Sequence, residues 1–152
     1  MLSIKGFNRR ICMDYTNEML LEVESQSRNE GFARMVVAGF VAQLDPTIEE
    51  IADIKTAVSE AVTNAIIHGY NNGKGKIKVY CKICNHEVYI EVQDSGVGIE
   101  DIEKAMEPLY TTRPELERSG MGFAFMEAFM DDLEVISKAG EGTIVKMKKI
   151  IH

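Results

Sequence analysis

The stretch that most constrains this fold covers residues 47–70 and has the apolar spacing of a long helix. At 100° per residue it has one apolar face, which we expect to pack against a core. That face consists of Ile51, Ile54, Val58, Val62 and Ala65. Thr47, followed three residues later by Glu50, predicts a capping box at the start of the helix.

The opposite side of this helix carries polar residues one turn apart. Glu60, Asn64 and His68 lie within about 80° of one another. The small residues Ala57 and Ala61 flank them and leave room for a ligand. A carboxylate beside an amide predicts a general base next to a Mg²⁺ ligand, because Mg²⁺ takes few protein oxygens and completes its coordination with phosphates and water. A solvated polar face is the alternative for this stretch taken alone, and for His68 we favour a structural role at the helix end.

Composition restricts the classes of protein to consider. The 152 residues predict a single domain, and 45% apolar with 27% charged residues is typical of a globular protein. The net charge of −7 argues against non-specific binding to nucleic acids or anionic membranes. No apolar run is long enough to span a membrane, and no apolar region follows the basic N-terminus as in a signal peptide.

Three cysteines, Cys12, Cys81 and Cys84, are too few for a disulfide scaffold. Cys81 and Cys84 match the C-x-x-C motif, with His86 nearby, but they fall in a predicted strand. Residues three apart in a strand point to opposite faces, and no second Cys or His pair is present to complete a zinc site. We therefore interpret them as packing residues of a cytoplasmic protein.

Hydrophobic periodicity and turn residues predict the remaining elements. Helical spacing predicts a first helix that Ser25 or Ser27 can cap and that extends to about Leu44, and further helices over 100–106 and over 123–129. Alternation predicts strands over 18–24, 76–84, 88–94, 133–137 and 143–150. Helices on one face of an antiparallel or mixed sheet give an α+β two-layer sandwich spanning residues 13–152. Residues 1–12 have no periodic pattern, and we expect a disordered extension there or a native start at Met13.

Two glycine clusters follow the central helix. Asp94-x-Gly96-x-Gly98 stands at a predicted strand end, where glycines permit close approach to a flat ligand and the carboxylate can accept from an exocyclic amine. Ser119-Gly120-Met121-Gly122 opens a predicted helix, whose free N–H groups can bind an anion. Neither spacing is that of a P-loop or a Rossmann fingerprint.

Four motifs appear in the order of the N, G1, G2 and G3 boxes of the ATPase superfamily that includes gyrase, Hsp90, histidine kinases and MutL. They are Glu60-x-x-x-Asn64, Asp94-x-Gly96-x-Gly98, Gly120-x-Gly122 and Gly142-Thr143. Within this superfamily the chain resembles the anti-sigma F factors of spore-forming bacteria, which are serine kinases. Residues 32–34, 59–70 and 109–123 carry most of that resemblance, which extends from about Met13 to the C-terminus.

The resemblance implies the histidine-kinase type of α+β ATP-binding fold and a role for each matching residue. Glu60 would be the catalytic base and Asn64 the Mg²⁺ ligand, while residues 107–119 would form a lid. The implied nucleotide contacts are Asn64, Asp94, Gly96, Gly98, Thr112, Ser119, Gly120, Met121, Gly122 and Thr143. Arg113 and Arg118 would contact phosphates or protein partners, and Arg34 would contact a protein partner, although Arg34 is as readily a solvated residue on sequence alone.

The function implied is that of an ATP-dependent protein-serine kinase that is also an anti-sigma factor. Such a homodimer would bind ATP or ADP with Mg²⁺, sequester a sporulation sigma factor of the sigma-F type, and phosphorylate an anti-anti-sigma factor. One alternative is a nucleotide-gated binding module without significant kinase activity, against which the retention of Glu60 argues. A histidine kinase catalytic domain is a weaker alternative, since no helical hairpin with a phosphoacceptor histidine is present.

Overall fold

An antiparallel sheet of five long strands, extended at one edge by a two-residue strand, organises the fold. The computed structural model describes residues 2–3, 17–107 and 122–152. In chain order the strands are β1 (Leu2–Ser3), β2 (Asn17–Glu24), β3 (Lys76–Cys84), β4 (Glu87–Asp94), β5 (Asp132–Lys138) and β6 (Gly142–Ile150). Their order across the sheet is β1-β5-β6-β4-β3-β2. The five long strands confirm the predicted ones to within one residue at each end.

Helices cover one face of this sheet. They are α1 (Arg28–Val41), α2 (Ile48–Asn64), α3 (Ile102–Ala105) and α4 (Gly122–Phe129), with a 3₁₀ turn over Ala42–Leu44. Helix α2 lies between α1 and α4, and this arrangement confirms the α+β two-layer class. None of the helices in the described ranges has the length and apolar character needed to cross a membrane.

The core lies between α2 and the inner face of the sheet. Ile54, Val58 and Val62 of α2 are fully buried, as the helical spacing predicts. The alternate residues of the central strands meet them from below; they include Ile77, Val79, Cys81, Ile90, Val92 and Met147. Burial of this apolar stripe fixes the rotation of α2, so its polar side must face away from the core.

The start of α2 confirms the predicted capping box. The Glu50 N–H donates to Thr47 Oγ1 over 3.1 Å, and the Thr47 N–H donates to Glu50 Oε2 over 3.0 Å. Ser27 occupies the predicted N-cap position of α1, but its side chain does not cap the helix. Ser27 has helical backbone angles (φ −57°, ψ −33°) and makes no capping bond, since a capping side chain needs an extended backbone to turn back on the helix. The Ser25 hydroxyl, the other predicted cap, is buried without a hydrogen-bond partner in the described ranges.

The C-terminal end of the central helix has a wider turn than the predicted α-helix. After Asn64 the chain forms a π-helical turn over Ala65–Gly69 (the π-turn). In it the Tyr70 N–H donates to the Ala65 carbonyl over 3.0 Å. The helical extent to about Tyr70 is confirmed, but the widened turn was not predicted. Such turns often occur at functional sites, and this one delivers Gly69 to the end of β4.

Candidate functional site

A cavity of about 540 Å³ opens between the helical layer and the end of the sheet. Its walls come from the end of α2 and the π-turn, the turn after β4, α3, the start of α4, and the beginning of β6. The lining residues that carry the argument are Ala61, Asn64, His68, Gly69, Asp94, Gly98, Lys104, Gly122 and Thr143. The cavity therefore brings the N, G1 and G3 motifs to one place, together with Gly122 of the G2 motif.

One end of the cavity, which we call the carboxylate end, is built by Asp94 and Thr143. The two residues are directly paired across β4 and β6. Asp94 Oδ1 accepts a hydrogen bond from the Gly96 N–H over 2.9 Å. Burial raises the pKa of Asp94, and the backbone N–H groups of Gly96 and Thr143 partly oppose that shift. This end presents a half-buried carboxylate and a hydroxyl, which suit an amino group of a ligand.

The glycines at this end are required by close backbone contacts. A Cβ on Gly96 would lie 1.9 Å from the Gly69 carbonyl oxygen, and a Cβ on Gly142 would lie 2.1 Å from the Asp94 carbonyl oxygen. Gly98 has φ of +77°, and its Cβ would lie 2.2 Å from the Lys138 carbonyl oxygen. The motif predicts a ligand-facing role for Gly96 and Gly98; the structure shows that they first allow segments of the chain itself to meet.

Three residues at the carboxylate end were not predicted from the sequence. Gly69 lies near the end of the predicted helix, and its carbonyl accepts the Val97 N–H over 2.9 Å. The Tyr70 hydroxyl accepts from the Ser95 N–H over 2.7 Å and donates to the Lys76 carbonyl over 2.6 Å. Ser137 lies 2.7 Å from the Thr143 hydroxyl. The only sequence signal was the position of Gly69 and Tyr70 at the end of the motif helix.

The other end of the cavity, which we call the helix end, is formed by the polar side of α2. Asn64 and His68 line the cavity, as their spacing predicts, and His68 is half-buried within the π-turn. The Asn64 Nδ2 atom is buried and has no hydrogen-bond partner among the residues that the structure describes. Glu60 is half-buried one turn earlier and is not among the described residues that line the cavity. The predicted base thus stands beside the cavity.

The helix end fits a magnesium–phosphate ligand. An unsatisfied buried amide costs about 1–3 kcal/mol, and phosphate oxygens next to Asn64 Nδ2 would supply the missing acceptor. Within the described ranges no group of three His, Cys, Asp or Glu residues could hold a metal ion. Mg²⁺ does not need one, since a single amide oxygen can suffice when phosphates and water complete the coordination.

The charges around the cavity also bear on this fit. Among the described lining residues, four carboxylates (Asp94, Glu100, Asp101 and Glu107) face one ammonium group, that of Lys104. A polyphosphate entering such a site needs further positive charge from a cation or from other side chains.

Several predicted residues lie outside the described residues. They are Thr112, Arg113, Arg118, Ser119, Gly120 and Met121. Of the G2 motif, Gly122 is described: it is the first residue of α4, is buried, and lines the cavity. The predicted lid, residues 107–119, also lies outside, apart from Glu107 at the cavity wall.

Arg34 connects α1 to the helix that carries Glu60. Its Nη1 atom lies 3.2 Å from Glu30 Oε1 and donates to Ser59 Oγ over 3.4 Å. The Arg34 side chain is 38% exposed. It is therefore neither a buried structural residue nor a fully solvated one, and it stands on the surface next to the residue that precedes Glu60.

Comparisons with known proteins agree with the motifs. A sequence profile of the histidine kinase-like ATPase domain matches residues 23–149. The chain is 65% identical over 136 residues to an anti-sigma F factor of Clostridium botulinum, covering 89% of this chain and 95% of that protein. It is 65% identical over 139 residues to one from Thermoanaerobacter sp., covering 91% and 97%. For one from Clostridium perfringens the identity is 61% over 134 residues, with 88% and 96% covered.

Proposed function

Because the chain belongs to the anti-sigma F factor family of histidine kinase-like ATPases, we propose that it is an ATP-dependent protein-serine kinase that also holds a sporulation sigma factor inactive. The cavity is the observation that carries the proposal. At one end it offers Asp94 and Thr143, which suit an amino-substituted base, and at the other it offers Asn64, whose Nδ2 atom has no partner in the described part of the chain. ATP has chemical groups that match both ends.

The proposed roles follow from this orientation of the nucleotide. Asp94 accepts a hydrogen bond from the adenine amino group, with Thr143 beside it. Asn64 holds Mg²⁺ through its amide oxygen. The backbone N–H groups of residues 119–122 hold phosphate oxygens at the start of α4. When bound, Mg²⁺ offsets the charge of the phosphates and favours their reaction.

Glu60 is the proposed general base for transfer to serine. Its carboxylate takes the proton from the incoming serine hydroxyl, while the serine oxygen bonds to the γ-phosphorus and the bond to the ADP oxygen breaks. The position of Glu60 beside the cavity supports this role, because the acceptor serine must approach from outside. The fixed register of α2 places Glu60 one turn from Asn64.

The proposed partners are a sigma factor of the sigma-F type and an anti-anti-sigma factor that receives the phosphate. Residues 107–119 would act as a lid that the γ-phosphate orders and ADP leaves loose, so the nucleotide would determine which partner is held. Arg34, Arg113 and Arg118 are proposed contacts. The interaction of Arg34 with Ser59 supports a link between a partner on α1 and the helix that carries the base.

A homodimer is proposed for the same family reason. Supporting it, Phe32 and Met35 of α1 are 52% and 58% exposed, and Leu20 of β2 is 63% exposed. Two large apolar side chains one turn apart on the exposed side of a helix are typical of an interaction surface, whereas Leu20 points to the opposite face of the sheet. Sedimentation of the purified chain tests this point, and a monomer at all concentrations would contradict it.

The test of the whole proposal is a phosphotransfer assay with γ-labelled ATP, Mg²⁺ and the cognate anti-anti-sigma factor. We expect label on a serine of that factor, and we expect the sigma factor to be retained by the protein more strongly with ATP than with ADP. Nucleotide-dependent retention without label would favour the binding-module alternative. A chain that binds no ATP in calorimetry would contradict both.

A further inference from the structure

Ser137 stands where three segments of the carboxylate end meet. Its Oγ accepts the Ile99 N–H over 2.7 Å, lies 2.7 Å from Thr143 Oγ1, and donates to the Gly142 carbonyl over 3.0 Å. It thereby ties the turn after β4 to the start of β6. Ser137 and Thr143 are direct partners in the β5–β6 ladder, so both side chains point to the same face.

The number of hydroxyl protons in this cluster determines which group donates in each hydrogen bond. A serine hydroxyl has one proton and two lone pairs. The Gly142 carbonyl takes the Ser137 proton, and the Ile99 N–H occupies one lone pair. The other lone pair then accepts from the Thr143 hydroxyl, whose own proton is thereby used. Thr143 Oγ1 is left with acceptor capacity alone toward the cavity that Thr143 lines.

We propose that Ser137 is a positioning residue that holds the Thr143 hydroxyl as an acceptor and so makes the cavity select a purine with a 6-amino group over a 6-keto purine. This inference rests on the proposed nucleotide binding. Asp94, paired with Thr143 across the β4–β6 ladder, is an acceptor as well. An amino group offers two N–H donors to these acceptors, whereas a keto oxygen offers none and faces their lone pairs.

The test compares ATP with inosine triphosphate, its 6-keto counterpart, by calorimetry with Mg²⁺ on the full chain. Wild type is expected to prefer ATP. Ser137→Ala frees the Thr143 hydroxyl to rotate and donate, so the ATP preference is expected to fall about three- to tenfold, the range for one neutral hydrogen bond. Ser137→Thr keeps the hydroxyl and is expected to restore the preference. Ser25→Ala removes a serine hydroxyl that has no partner among the described residues and is the control, with an unchanged preference.

A merely structural role for Ser137 would weaken both nucleotides equally, so the ratio of the two affinities is the decisive readout. An unchanged ratio in Ser137→Ala would overturn the inference. Ser137→Cys guards against poor folding of that variant, because a thiol is a weak donor and acceptor of similar size, and the same loss of preference is expected. If wild type binds neither nucleotide, the proposed function itself is wrong.

Discussion

The two ends of the cavity are constructed in different ways. At the carboxylate end, polar groups find partners within the protein: Asp94 accepts from the Gly96 N–H, and the Ser137 hydroxyl joins Thr143 to Ile99. At the helix end, the Asn64 Nδ2 atom is buried and has no partner within the described ranges. The polar groups at one end thus each have a partner in the protein, whereas the other end leaves a buried donor without an acceptor among the described residues.

The cause of this difference lies in the elements that form each end. The carboxylate end depends on strand register and on glycine-permitted contacts between segments far apart in sequence, which enforce one geometry. The helix end depends on a single helix, α2, whose side chains reach the cavity from one direction. We infer that the groups that recognise the adenine base are held in position before the nucleotide binds, whereas the groups that act on the phosphates reach their positions only on binding.

The largest expected effect tests the chemistry beside the helix end. Glu60→Gln removes the proposed base while keeping the size of the side chain, so phosphotransfer to the anti-anti-sigma factor is expected to fall by about 10²- to 10⁴-fold. ATP affinity is expected to stay within about threefold of wild type. Label transfer and calorimetry, run on the same preparation, measure the two quantities. Undiminished transfer would remove Glu60 from the mechanism.

The second prediction tests the enforced geometry of the carboxylate end with a matched pair of glycines. Gly98 and Gly140 have φ of +77° and +81°. A Cβ added to Gly98 would lie 2.2 Å from the Lys138 carbonyl oxygen, whereas one added to Gly140 would meet nothing within 4 Å. Gly140→Ala is expected to lower the free energy of unfolding by about 1–2 kcal/mol, the cost of the left-handed backbone. Gly98→Ala adds the clash, roughly a further 1–3 kcal/mol.

Denaturant titrations of the two variants measure that difference, and calorimetry adds the functional contrast. Gly98→Ala is expected to weaken ATP binding because the turn after β4 must shift, whereas Gly140→Ala leaves the affinity unchanged. If both variants lose the same stability, the protein relaxes the contact with the Lys138 carbonyl easily. That result would contradict the inference that the carboxylate end has one enforced geometry.

The third prediction concerns the charge of Asp94. Burial raises the pKa of Asp94 above the usual 3.8. The ionised carboxylate therefore lowers the free energy of unfolding. This loss is absent below pH 3.8, grows as the pH rises, and is complete above the folded-state pKa. As the pH rises over this range, the free energy of unfolding of Asp94→Asn is expected to increase relative to that of wild type. Its ATP affinity is expected to fall about 10- to 100-fold, since a hydrogen bond to a charged acceptor is lost.

Unfolding curves of wild type and Asp94→Asn at several pH values between about 3 and 7 measure the stability difference. A difference that shrinks with rising pH would reverse the sign of the pKa shift and contradict the burial argument. Unchanged ATP affinity in Asp94→Asn would show that Asp94 does not recognise the adenine base.

The same contrast explains what the sequence could predict. Helical periodicity and the capping box gave α2, its buried face, and the placement of Asn64 and His68, since these depend on spacing within one element. The carboxylate end depends on pairing between strands, so the sequence indicated Asp94 only through the glycines that follow it at a strand end, and Thr143 through motif order alone. Ser137 was missed because a polar residue in a half-buried strand has no distinguishing spacing. The π-turn was missed because a change of hydrogen-bond partner leaves no mark in the apolar pattern.

The smallest expected effects come from the two buried polar atoms that lack partners in the described part of the chain, Ser25 Oγ and Asn64 Nδ2. Removing an unsatisfied buried group relieves a desolvation cost, so Ser25→Ala is expected to leave the free energy of unfolding unchanged or raise it by up to about 1 kcal/mol. Asn64→Ala is expected to change it equally little, because alanine also favours the helix. Only Asn64→Ala should affect the ligand, with ATP affinity in Mg²⁺ falling about tenfold and a smaller difference in EDTA. A loss of stability in Asn64→Ala larger than in Ser25→Ala would mean that Asn64 supports the fold, and the unsatisfied amide would no longer distinguish the helix end from the rest of the protein.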